Sequence, residues 1–196
     1  MKVTYRELGP PEFRCAIRAL VGVYAAAMNP PDRTLSGREA IMDRHASYPD
    51  FRCLTAIVGG QVAGFTYGFH GQNGQWWHDM VSAALAARSG GAAPYTWLDD
   101  SFEVAELHVM PSCQGQGIGR SLLLTLTAGR PERTAVLSTA DAPTKARRLY
   151  RSVGFTDLLT DFLFSGGEPP YAVMGAALPL SPTTSRAPQA PSPSIW

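Results

Sequence analysis

Residues 114–119, Gln-Gly-Gln-Gly-Ile-Gly, place three glycines between a strand-like run at 102–109 and a leucine-rich helical run at 118–126. A helix opening from such a turn has backbone N–H groups without intrahelical partners, carries the positive end of the macrodipole, and lets a ligand approach the chain closely. That is a place to hold phosphate. A further apolar strand is expected at 135–139, and strand, helix and strand joined this way form a parallel βαβ unit with a right-handed crossover. The same glycines would also serve an ordinary tight turn, so the loop by itself does not decide the chemistry.

The rest of the chain reads as strands and amphipathic helices of one domain. Residues 3–8 alternate as a first strand, and Pro10-Pro11 introduces a helix with Phe13, Ile17, Leu20, Tyr24 and Met28 on one stripe, ended by Pro30-Pro31. A second helix is expected over 36–48, with Ser36 as N-cap and Glu39 completing a capping box. Gly59-Gly60 between apolar runs at 54–58 and 62–69 predicts a two-residue hairpin. Residues 71–100 read as an insertion: a helix at 75–88 with Trp77, Val81, Ala84 and Leu85 on one side, a loop at 89–94, and an aromatic stretch at 95–98. It either caps the sheet or walls a pocket. Ala146, Leu149, Tyr150 and Val153 form the apolar face of a last helix closed by Gly154, and Lys145, Arg147, Arg148 and Arg151 its solvated basic face. Runs at 155–164 and 172–178 suggest two more strands around a turn at 165–170. From 179 to 196 Pro, Ser and Thr dominate, a tail expected to be disordered, which leaves 1–178 as a single domain.

Seventeen basic and sixteen acidic residues give a net charge of +1, which offers nothing to draw the protein to nucleic acid or to an anionic membrane. A small molecule or a peptide end is the expected partner, with the protein a monomer or homodimer. Cys15, Cys53 and Cys113 are widely spaced and form no CxxC pair, so neither a disulfide framework nor a metal site is expected. With no leader-like N-terminus and no apolar run near eighteen residues, the expected setting is the cytoplasm.

Val109-Met110-Pro111 precedes the glycine loop, and the run at 146–155 follows it after the strand at 135–139. Together these resemble the GNAT superfamily of N-acetyltransferases. Gln114, Gly117 and Gly119 match its Gln/Arg-x-x-Gly-x-Gly/Ala pattern, and Ala146, Leu149, Tyr150, Gly154 and Phe155 match its later Ala-x-x-Leu-Tyr-x-x-x-Gly-Phe. The likeness covers 102–156. It implies an α+β fold: a central, mostly antiparallel mixed sheet with one parallel, splayed strand pair, flanked by helices. It also implies acetyl-CoA as cofactor, its pyrophosphate on the backbone of Gln114, Gly115, Gln116, Gly117, Ile118, Gly119 and Arg120 and its pantetheine arm along Leu107, Val109 and Met110. Where many members have an Asn three residues before Ala146, Pro143 stands here, so that contact is either lost or made by Thr144.

The implied reaction is transfer of acetyl to the primary amine of a small molecule or peptide, which needs a proton for the departing thiolate and a neutral amine. Tyr150 is the family-matched acid, protonated at neutral pH with an ordinary pKa of about 10. Glu103 and Glu106 are the candidate bases, on opposite faces of a regular strand unless a bulge redirects one. Glu103 stands eleven residues before Gln114, the register of a strand-borne base in the family, and His108 is a third candidate. Trp76, Trp77, His78 and Trp97 of the insertion would meet the acceptor, favouring an aromatic or cationic group. A non-catalytic acyl-CoA sensor on the same fold is the alternative. A nucleotide-binding protein fits less well, because no Gly-Lys-Ser/Thr follows the loop.

Overall fold

The computed structural model describes residues 2–31, 35, 37–88, 97–164 and 169–181. The expected N-cap Ser36, the loop at 89–94 with Tyr95, most of the turn at 165–170 and the tail beyond 181 lie outside the described residues. In chain order the elements are β1 (Val3–Leu8), α1 (Pro10–Met28), α2 (Arg38–His45), β2 (Arg52–Val58), β3 (Gln61–His70), α3 (Trp76–Arg88), β4 (Ser101–Val109), a 3₁₀ turn (Pro111–Cys113), α4 (Ile118–Thr127), β5 (Thr134–Ala140), α5 (Lys145–Arg151), β6 (Thr156–Phe162) and β7 (Tyr171–Ala177). The seven strands make one sheet in the order β1-β2-β3-β4-β5-β7-β6, antiparallel throughout except for the parallel pair β4–β5. This is the expected mixed α+β architecture.

Local chemistry explains most boundaries. The Gly9 N–H donates to Glu12 at 3.1 Å, satisfying a donor at the start of α1, and Asn29 leaves the helix in the left-handed region. The apolar stripe buries Phe13, Ile17, Leu20 and Tyr24 with Val23, whereas Met28, in the last turn, is exposed. α2 starts later than expected, at Arg38, with Gly37 at φ 84° as an N-cap that supplies no side chain. Gly59 and Gly60 both adopt positive φ, as the tight hairpin between β2 and β3 requires.

Alternation along the strands sends residues to two layers. Ala135 and Leu137 join the core under α4 and α5, where Leu122, Leu123 and Leu126 are fully buried. Val136, between them, faces the other way, onto Val81 and Leu85 of α3. The insertion helix therefore caps the β5–β7–β6 end of the sheet. On the same face Phe65, Tyr67 and Phe69 of β3 pack under α1 and Met42 of α2. The packed chain runs past the expected boundary at 178, since Leu178 donates its N–H to Arg133 O at 2.9 Å and Leu178 and Leu180 lie against the α4/α5 core.

Candidate active site

β4 and β5 pair only at Ser101–Thr134, Phe102–Ala135 and Glu103–Val136. Beyond these pairs β4 continues to Val109 and β5 to Ala140 with no ladder between them, so the middle of the sheet opens into a wedge. On the α4/α5 side, a cavity of about 370 Å³ lies between the end of β4, the glycine loop and α5. Gly115 and Gly117 have φ of 76° and 80°, in the region that favours glycine, and Gly117 is the N-cap of α4 with no side-chain hydrogen bond. The first-turn N–H groups of α4 are thus left to whatever enters. The Gln114 amide donates from Nε2 to Val109 O at 3.1 Å and ties the loop to the strand.

Of the residues expected at the cofactor, Leu107, Val109, Gln114, Gly115, Gly117, Ile118, Gly119 and Arg120 line this cavity. Met110, Gln116 and Thr144 do not. Met110 packs into the α1/α2 core, Gln116 donates to Ser112 O at 3.4 Å, and the Thr144 hydroxyl caps α5 by accepting the Arg147 N–H at 3.1 Å. Ala146 and Leu149 of the family pattern line the cavity, as do Cys113 and Lys145. Lys145 was legible only as part of a basic face, and nothing but its place beside the loop marks Cys113. That basic face is not uniformly solvated: Arg147 is held between Asp141 and Asp157, the latter at 2.8 Å, with its side chain 11% exposed.

Tyr150 is buried on α5 and lines the cavity, and its hydroxyl has no hydrogen bond among the described residues. Burial raises its pKa and the negative charge of Glu106 adds to the rise, so the phenol keeps its proton. That influence reaches Tyr150 from the far face of the sheet.

The carboxylates depart from the regular-strand expectation. Phe69 and Tyr67, two residues apart on β3, pair with Glu103 and Glu106, three apart on β4, because a bulge at Tyr67–Gly68 leaves Ala105 as the extra residue. Glu103 and Glu106 therefore point to the same face, opposite α4 and α5. Both Glu106 oxygens are engaged: Arg38 Nη1 donates to Oε1 at 2.7 Å, and His108 Nε2 meets Oε2. Burial alone would raise the pKa of Glu106, but the His108 hydrogen bond and the charges around it outweigh burial and lower it. Glu103 is 5% exposed, and its Oε2 has no partner among the described residues. Burial, with the nearby Glu106 charge, pushes its pKa up to about 8. His108 is bound to Glu106 and stands edge-on to Tyr24 with ring centres 5.1 Å apart, which makes it a member of this network.

The insertion's aromatic residues differ in burial and in partners. Trp77 donates from Nε1 to Ser138 Oγ at 3.1 Å, on the part of β5 that has left β4. Trp76 is 54% exposed and leans on Phe164 at 5.3 Å. Contrary to expectation, His78 and Trp97 turn inward. His78 is buried against Leu98 O, and the Trp97 ring covers Gly175 so closely that a Cβ there would lie 2.8 Å from it. A missing side chain on β7 makes room for the indole.

A solved acetyltransferase of the GNAT family from Desulfovibrio desulfuricans superposes with a TM-score of 0.64 at 14% identity, covering 90% of this chain and 99% of that one. The PaiA N-acetyltransferase of Thermoplasma acidophilum, solved in complex with coenzyme A, superposes with a TM-score of 0.58 at 13% identity over 90% of this chain and 99% of its own. These likenesses concern the fold. A GCN5-like protein acetyltransferase of Mycobacterium tuberculosis is 40% identical over 124 residues, 61% of this chain, and the chain spans about 60% of that relative's length. The profile of the acetyltransferase (GNAT) domain matches residues 49–157, more than half of the chain and every strand from β2 to β5. The chain belongs to the GNAT family of acetyltransferases.

Proposed function

We propose that this protein transfers the acetyl group of acetyl-CoA to a primary amine of a small molecule or peptide. The observation that carries this reading is the wedge between β4 and β5, which has a cavity with a helix N-terminus and Tyr150 on one side and, on the other, the buried carboxyl of Glu103, whose Oε2 has no partner among the described residues. The cavity residues fit the cofactor: backbone N–H groups of Gly117–Arg120 for the pyrophosphate, Arg120 and Lys145 as nearby cations, and Leu107, Val109 and Leu149 as an apolar wall for the pantetheine arm. The bound cofactor supplies an activated acetyl thioester.

In this reading Glu103, ionised above about pH 8, accepts a proton from the acceptor ammonium. The neutral amine attacks the thioester carbonyl, and Tyr150 gives its proton to the departing thiolate. Thr144, Met110 and Gln116 have other partners in this structure, so their contribution to the cofactor is through the loop and helix they hold. Trp77 and Trp76 stand on the acceptor side, where a ring face favours a cationic or aromatic acceptor by about 0.5–2 kcal/mol per contact. A peptide or protein amine is supported by the mycobacterial relative, a GCN5-like protein acetyltransferase 40% identical over the shared stretch.

The direct test is release of free thiol from acetyl-CoA across a panel of small amines and lysine-containing peptides, with mass spectrometry of the acceptor. Acetylated amine with equimolar thiol is the expected result. Tight CoA binding without turnover on any amine would favour a sensor instead.

A further inference from the structure

Arg38 lies on α2, before the 49–157 stretch that the family profile covers, yet it reaches 68 residues along the chain to Glu106. Its guanidinium is fixed on three sides: Nη1 donates to Glu106 Oε1 at 2.7 Å, Nη2 donates to Tyr24 Oη at 2.7 Å, and the plane sits 4.2 Å over the Tyr24 ring. With His108 on the other Glu106 oxygen, the carboxylate cannot swing toward the wedge without breaking charge-assisted bonds on both sides.

We propose that Arg38 is a positioning residue for acetyl transfer: by clamping Glu106 it removes one of two adjacent carboxylates from proton exchange and leaves Glu103 as the single base. This rests on the reading of Glu103 as base given above. Two carboxyls on one face of a bulged strand, both unclamped, would titrate as a coupled pair and share one proton. The groups facing the pair are Tyr24 from α1, Arg38 and His45 from α2, Tyr67 from β3 and His108 from β4, while Tyr150 of α5 feels Glu106 through the sheet. Tyr67 and Tyr150 are held protonated chiefly by burial, and burial pushes His45 down to about 4, so it is neutral where it meets the Tyr67 hydroxyl. Arg38 is the permanent cation of this set. Losing it strengthens proton binding by Glu106, so the two carboxyls share a proton and more alkaline solution is needed to leave both ionised with Glu103 free.

The test is the pH profile of kcat/KM for the acceptor amine in wild type, Arg38→Met, Arg38→Lys, Tyr24→Phe and Glu103→Gln, with KM for acetyl-CoA measured alongside. Arg38→Met should move the acid limb up by about one pH unit, a loss of about tenfold at neutral pH. KM for acetyl-CoA should stay within about twofold, since Arg38 lies outside the cofactor cavity. Arg38→Lys should return the limb most of the way. Tyr24→Phe keeps the ring and frees one side of the clamp, so it should shift the limb in the same direction by less, and it carries the test if Arg38→Met does not fold. An acid limb unmoved in Arg38→Met, or in Tyr24→Phe where that variant carries the test, overturns the proposal. Glu103→Gln separates the two readings: if it abolishes the limb while the clamp variants leave the limb in place, only Arg38 loses its role. If the limb survives Glu103→Gln, the base assignment itself fails.

Discussion

Glu103 and Glu106 carry the same side chain three residues apart, and their surroundings drive their protons in opposite directions. The raised pKa of Glu103 has a consequence for stability. Between the ordinary carboxyl value of 4.5 and about 8, the folded chain holds a proton that the unfolded chain has released, so stability falls as pH rises through that window. Glu103→Gln, which cannot ionise, should therefore melt later than wild type at pH 9, by a difference of a few kcal/mol. The advantage should vanish near pH 4.5 in melting curves taken across the range. Tyr150→Phe keeps the ring packed against Phe155 at 5.8 Å and removes only the hydroxyl. Turnover should drop on the order of 10²-fold with the Kd for CoA unchanged. Equal turnover would make Tyr150 a packing residue. Tyr150 was legible because its motif surrounds it in sequence. Arg38 was not, because its partner is 68 residues away and no local pattern announces a long-range ion pair.

The bulge in β4 is an element-scale device, and Gly68 on β3 is what accommodates it. A Cβ at Gly68 would lie 2.3 Å from the Glu103 carbonyl oxygen and 2.6 Å from the Phe102 ring, neither of which can retreat from a central strand. Gly68→Ala should destabilise the fold by about 1–3 kcal/mol, as overpacking does, and should misplace Glu103. Denaturant unfolding and the amine pH profile would report the two effects separately. At the other end of β4, Gly117→Val forces a branched side chain into φ 80° beside the first turn of α4. CoA affinity should fall by tenfold or more, read by calorimetry, because the N–H groups are then both shielded and displaced. The βαβ unit and the Gly59-Gly60 hairpin were readable because periodicity and turn chemistry are local. The bulge was not, since Glu103, Val104, Ala105 and Glu106 look like any strand until β3 imposes two residues against three. The inward turn of Trp97 has no local signal either, because the space it fills belongs to Gly175, far along the chain.

At the scale of the molecule, the packed chain continues through Leu180, so a truncation that ends before Pro179 should lower the melting temperature, whereas one that ends after Ser181 keeps the Leu180 contact. A difference of about 1–2 kcal/mol is expected from burying one leucine, and equal melting of the two proteins would show that the contact is dispensable. In the ladder itself, only three residue pairs join β4 to β5 across the centre of the sheet, above the core that both share with α4. The cavity is lined by β4 on one side and by α5, which follows β5, on the other, so a ligand lodged there bridges the two and acts as a missing length of seam. The wedge-facing amides of β5 beyond Val136, which β7 does not hold, should therefore exchange faster in the free chain than their β7-paired neighbours and slow on adding CoA. The protein's melting point should climb with CoA concentration as mass action requires, by about 2.7 kcal/mol at a hundredfold excess over Kd.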